Sequence, residues 1–120
     1  MLAQELEIYK STRRLITIML SYTRNVSKDV KYAEWTVIRQ MVFESMDVIY
    51  LANSESDAGL AAKCLDRYLA LMFGVQTRVR VLAETEYLRT SFKTRVIEQV
   101  DECQKQATAW RKYFRRKSQN

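Results

Sequence analysis

The stretch Ser56–Leu82, SDAGLAAKCLDRYLALMFGVQTRVRVL, runs through apolar residues at helical spacing with no proline to break it. Any fold for this chain has to house a helix of that length. Advancing about 100° per residue, Leu60, Cys64, Tyr68, Leu71, Val75, Val79 and Leu82 fall on one narrow stripe. Leu65, Leu69, Met72 and Phe73 form a second stripe beside it. A helix with one side facing water needs only one. The first stripe is therefore expected to fill the domain's own interior, and the second to meet a neighbouring subunit.

The rest of the chain supplies the same kind of element. It has no proline, and Gly59 and Gly74 are its only glycines in 120 residues. Sheets joined by tight turns depend on those two residue types, so an all-helical chain is expected. Its length suits one domain spanning 1–120. A first helix is predicted over about 3–22, with Ile8, Thr12, Leu15, Met19 and Tyr22 on its inner stripe. Polar residues 23–29 then interrupt the pattern. A second helix follows over about 30–52, with Trp35, Ile38, Val42, Met46 and Ile49 inside. Arg39 lies within that apolar surface; either its stem packs while its head reaches water, or it pairs with another subunit. Asn53 is suited to a left-handed helix end, Ser54 or Ser56 to a cap, and Asp57 to the first turn of a third helix over about 57–83. Gly74 in mid-helix suggests that another backbone approaches closely there. Thr85 is a candidate cap for a fourth helix over about 86–116. Its stripe is Phe92, Val96, Val100, Cys103, Ala107, Trp110 and Phe114. Four helices with short connections imply an antiparallel up-down-up-down four-helix bundle, and the surplus stripe on the third implies an oligomer.

Charge points to partners. Twenty Lys and Arg against fourteen Asp and Glu give a formal charge of +6. Such a balance suits nucleic acid, an acidic protein or an anionic surface, or else merely keeps an oligomer soluble. The basic residues concentrate at Lys10, Arg13 and Arg14 on the first helix, at Lys63, Arg67, Arg78 and Arg80 on the third, and at Arg111, Lys112, Arg115, Arg116 and Lys117 in the tail. There is no histidine, which removes the commonest general base and the usual zinc and di-iron ligand sets. Gly-rich phosphate loops are absent as well. No catalytic residue, metal or cofactor is expected, and the chain is read as not an enzyme. Cys64 and Cys103 sit on apolar stripes of different helices and read as reduced thiols. No apolar run reaches the roughly 18–20 residues of a membrane span. The first residues, with Glu5 and Glu7, do not read as a signal peptide, so a cytoplasmic protein is expected.

The segments ELEIYKSTRRLI, VIYLANSE, SDAGLAA and TAWRKYF resemble the small four-helix-bundle family that includes proteins encoded by ribosomal-RNA intervening sequences. Within it they are closest to the branch of the accessory variability determinant (Avd) of diversity-generating retroelements. The resemblance runs from about Glu5 to Phe114. It implies a homopentamer, with five bundles forming a ring-like barrel around a channel. It further implies a non-catalytic, basic protein that binds RNA or DNA and the element's reverse transcriptase during mutagenic retrohoming. The twelve basic positions named above are compatible with nucleic-acid binding, and Leu65, Leu69, Met72 and Phe73 with the subunit interface. The alternative is the intervening-sequence type, a protein-interaction module that binds no nucleic acid.

Overall fold

A computed structural model describes residues Met1–Asn120. After a 3-10 turn at Ala3–Glu5, the chain forms α1 (Glu7–Tyr22), a second 3-10 turn at Thr23–Asn25, the one-turn α2 (Lys28–Lys31), α3 (Glu34–Ser54), α4 (Ala58–Glu84) and α5 (Thr90–Ser118). It contains no strand. The four long helices run alternately up and down. Tyr9 meets Tyr50, and Thr23 accepts from the Trp35 indole at 3.1 Å, so α1 and α3 are antiparallel. Glu44 pairs with Arg67 between α3 and α4. Gln76 and Asp66 meet Gln104 and Arg111 between α4 and α5. Ser11 and Tyr22 meet Glu102 and Phe92 between α1 and α5, which closes the bundle.

One repeat explains the interior. The inner stripe of α4 is Ala61, Leu65, Tyr68, Met72, Val75, Val79 and Leu82, with steps alternating four and three and Ala62 buried beside it. On α3 the stripe is Trp35, Ile38, Val42, Ser45, Ile49 and Ala52, with Val48 buried beside it. On α5 the series Val96, Val100, Cys103, Ala107 and Phe114 has the same phase, with half-buried Trp110 between the last two. A step averaging 3.5 residues keeps a stripe against its neighbours when helices cross at about 20°, as in coiled coils and most four-helix bundles. The core drawn from all these helices is one cluster of 27 residues in a molecule 50 Å long.

That repeat corrects the expected inner stripe of the third helix. Leu60 is 48% exposed and Cys64 and Leu71 are only half-buried, whereas Ala61, Leu65 and Met72 are enclosed. The predicted stripe advanced faster than 3.5 residues per step because it followed the 100° spacing of a straight helix, about 3.6 residues per turn. The interior takes small side chains where helices close together: Ala52 and Ala61 flank the tight α3–α4 connection, both fully buried. Ser45 displaces Met46 from the core of α3 for the same reason, its hydroxyl donating to the Val42 carbonyl at 2.6 Å.

The helix ends differ in four places. The second predicted helix splits at Tyr32–Ala33, where Ala33 (φ −118°, ψ −85°) leaves the helical region. Ser27 caps the short α2 by accepting from the Asp29 N–H at 3.3 Å. Asp57, not Ser54 or Ser56, caps α4, its Oδ1 accepting from the Leu60 N–H at 3.0 Å. Asn53 stays outside the left-handed region and donates to the Met1 carbonyl at 3.0 Å. Thr85 closes α4 rather than opening α5: its hydroxyl donates back to the Val81 carbonyl at 2.8 Å. Glu86 then turns the chain at φ 68°, and the amides of Tyr87 and Leu88 both return to the Leu82 carbonyl at 2.8 and 3.3 Å. With those residues used in the turn, α5 begins at Thr90. Gly74 faces no backbone; a Cβ there would run into the methyl end of Met41. No helix is long and apolar enough to cross a membrane.

Candidate nucleic-acid interface

The tail of α5 is held from below by its own stripe. Phe114 is buried, and its ring lies 5.1 Å from that of Trp110. Cations therefore leave this helix on fixed bearings. Arg111 and Arg115, one turn apart, both reach Asp66 on α4, at 2.9 and 3.2 Å on the same oxygen. Lys112, Arg116 and Lys117 are exposed and have no carboxylate partner. Arg115, Arg116 and Lys117 also occupy the last turn, where the carbonyl end of the helix dipole favours positive charge.

The other predicted cations divide the same way. On α1, Lys10 pairs with Glu7 and Arg14 with Glu102, both at 3.4 Å, while Arg13 is exposed and unpaired. On α4, Arg67 pairs with Glu44 and Arg78 donates to the Gly74 carbonyl at 3.2 Å, both from the flank facing α3. Lys63 and Arg80 are exposed without a carboxylate. These ion pairs are open to water, where each contributes on the order of 0–1 kcal/mol. An incoming phosphate can compete for their cations at little cost. The twelve residues do not converge on one patch. The tail is their densest grouping, and Lys105 extends it: it lines a shallow trough on the outer face of α5 with Asp101, Gln104, Thr108 and Lys112. Lys105 lies seven residues before Lys112, a spacing that places both on one helix face.

The predicted subunit contact is half overturned. Leu65 and Met72 are fully buried in the chain's own core and cannot reach a neighbour. Both sit on the 3.5-residue repeat that the interior follows. Leu69 is half-buried and Phe73 is 66% exposed. Arg39 packs its stem and donates from Nη2 to Thr36 at 3.5 Å, while its Nε is buried without a partner.

The interior also holds a polar cluster. Thr12 donates to the Ile8 carbonyl at 2.7 Å, so its one hydroxyl proton is used and the Tyr68 hydroxyl, 2.6 Å away, is the donor to it. Cys103 lies against the same hydroxyl at 3.9 Å. Burial pushes both the Tyr68 phenol and the Cys103 thiol up from their ordinary values, since neither anion can be solvated there. Burial raises the half-buried Cys64 thiol too. All three are kept in their neutral form at pH 7, and neither cysteine forms a disulfide. Gln99 donates to the Ser11 carbonyl at 2.9 Å beside this cluster. These groups fasten α1 to α4 and α5.

An open groove of about 330 Å³ lined mostly by apolar side chains lies between the start of α3 and the end of α4. Val37, Ile38, Val81 and Leu82 line it, with Arg78 at its edge. No three Cys, Asp or Glu side chains are grouped as metal ligands. The arrangement offers exposed cations and apolar contact surface on a rigid rod. No protein-family model and no curated protein matches the chain.

Proposed function

We propose that this chain is a non-catalytic accessory protein of the Avd type, a basic homo-oligomer that holds RNA or cDNA together with a reverse transcriptase. The observation that carries the reading is the set of unpaired, exposed cations: Arg13, Lys63 and Arg80, and above all Lys112, Arg116 and Lys117 in the tail. Each phosphate neutralised by such a residue releases condensed counterions, and a ring of copies multiplies the contacts. The resemblance of the segments from Glu5 to Phe114 supplies the partner and the pentameric ring. Phe73, a large apolar side chain left exposed, and Arg39, with a buried donor left unpaired, are places where another chain would add contacts.

Binding of this kind is largely independent of sequence and falls steeply with salt. Titration of the full chain into unstructured RNA and duplex DNA at rising salt measures both properties. Replacing Arg111, Lys112, Arg115, Arg116 and Lys117 together by alanine should weaken every probe alike and flatten the salt slope. Absence of binding at low salt overturns the nucleic-acid reading in favour of a protein-interaction module. A reverse-transcriptase gene flanked by template and variable repeats beside this one supports the retroelement assignment; a location inside a ribosomal RNA gene overturns it.

A further inference from the structure

The last turns of α5 hold one large side chain that the core does not use. Tyr113 is 54% exposed, although the aromatic residues on either side of it in the stripe, Trp110 and Phe114, are packed inward. Its ring meets that of Phe114 edge-on, with centroids 5.4 Å apart. On a helix, residues three and four apart are neighbours, so Arg116 and Lys117 border Tyr113 on one side and Ala109 and the half-buried Trp110 on the other. Ala109 is exposed and too small to cover the ring. Arg111 and Arg115 are drawn to the opposite flank by Asp66. The result is an open aromatic plate bordered by two unpaired cations, with a third, Lys112, one turn before Arg116 on the outer face, on a helix anchored by Phe114.

We propose that this flank binds single-stranded nucleic acid, with an unpaired base stacked on Tyr113 and the neighbouring phosphates held by Lys112, Arg116 and Lys117. The proposal rests on the nucleic-acid reading above and narrows it to the strand. In a duplex, base faces are covered by their neighbours, and a side chain reaches only edges and phosphates. A single strand exposes base faces, and stacking on an aromatic ring accepts any base. An acidic protein would engage the cations equally well but has no use for the face of the ring. Lys112 and Arg116 stand four residues apart, about 6 Å along the helix axis, so they offer successive contacts along a strand.

The test uses the full chain and three labelled probes: oligothymidine, oligouridine and a DNA duplex of equal length. Tyr113→Ala should weaken single-strand binding about tenfold or more and leave duplex affinity within about twofold. Tyr113→Phe and Tyr113→Trp should bind like the parent, which separates stacking from loss of the hydroxyl. The triple replacement of Lys112, Arg116 and Lys117 by alanine should weaken all probes and reduce the single-strand salt slope by about 2. A preference between oligothymidine and oligouridine that disappears in Tyr113→Ala identifies the strand this site takes. Unchanged single-strand affinity in Tyr113→Ala, or an equal loss on duplex, overturns the stacking site. Parent protein that binds duplex alone overturns this proposal and spares the broader reading; parent protein that binds none of the probes overturns both.

Discussion

At the scale of single residues, the cluster of Thr12, Tyr68 and Cys103 sets how the molecule responds to alkali. Both acids have folded-state values raised above their ordinary ones of 10.0 and 9.0. The unfolded chain therefore loses those protons first as pH rises, while the folded chain keeps them. Their stabilising effect is complete below pH 9 and is lost progressively above it, by up to about 1.4 kcal/mol per pH unit for each group. Urea midpoints measured from pH 8 to 11 should fall accordingly. Tyr68→Phe should flatten that fall while costing about 1 kcal/mol at pH 7. A midpoint in the parent that does not change up to pH 11 would contradict the buried, neutral state of both groups.

Among the helices and their junctions, the α4–α5 connection is the place where local preference and fold disagree. Glu86 occupies the left-handed region that glycine enters freely and other residues enter at a cost of about 1 kcal/mol. The turn is imposed by the two amides that return to the Leu82 carbonyl and by the burial of Leu88. Glu86→Gly should raise the urea midpoint, by the equivalent of about 0.5–1 kcal/mol, without altering helix content by circular dichroism. A loss of stability would show that the Glu86 side chain has a role beyond occupying the turn. The absence of glycine at this turn is also why the helix boundary is unreadable from composition alone.

For the whole molecule, the question is which apolar surface belongs to the fold and which to assembly. Met72 and Phe73 are adjacent in sequence and of similar size, yet one is fully buried and the other 66% exposed. Met72→Ala should cost about 2–5 kcal/mol and lower the thermal midpoint. Phe73→Asp should leave the midpoint of the isolated chain nearly unchanged and reduce the assembly to the 14.2 kDa monomer in light scattering. A monomeric parent protein at micromolar concentration contradicts the proposed ring, and an assembled Phe73→Asp variant moves its contact elsewhere.

Much of the fold is legible in the residues. The lack of proline, the scarcity of glycine and the apolar periodicity determine four long helices and place most of their ends within a few residues. The clean stripe of α5 and the basic tail can be read directly. The packing of α4 could not be read in this way, because its two apolar stripes have equal hydropathy and only the neighbouring helices choose between them. They choose the 3.5-residue repeat through Leu65 and Met72, and fill its tightest positions with Ser45, Ala52 and Ala61, which carry no hydrophobic signature of their own. The twelve candidate cations could be named from sequence but not sorted. Asp66 lies forty-five residues from Arg111, so whether a guanidinium is neutralised or free depends on which helices end up side by side. The sequence by itself determined the helices and their charge, since these follow from local spacing. Only the tertiary structure decided which face of α4 is core, which cations remain unpaired and why Tyr113 stands uncovered, because each depends on contacts between residues far apart in the chain.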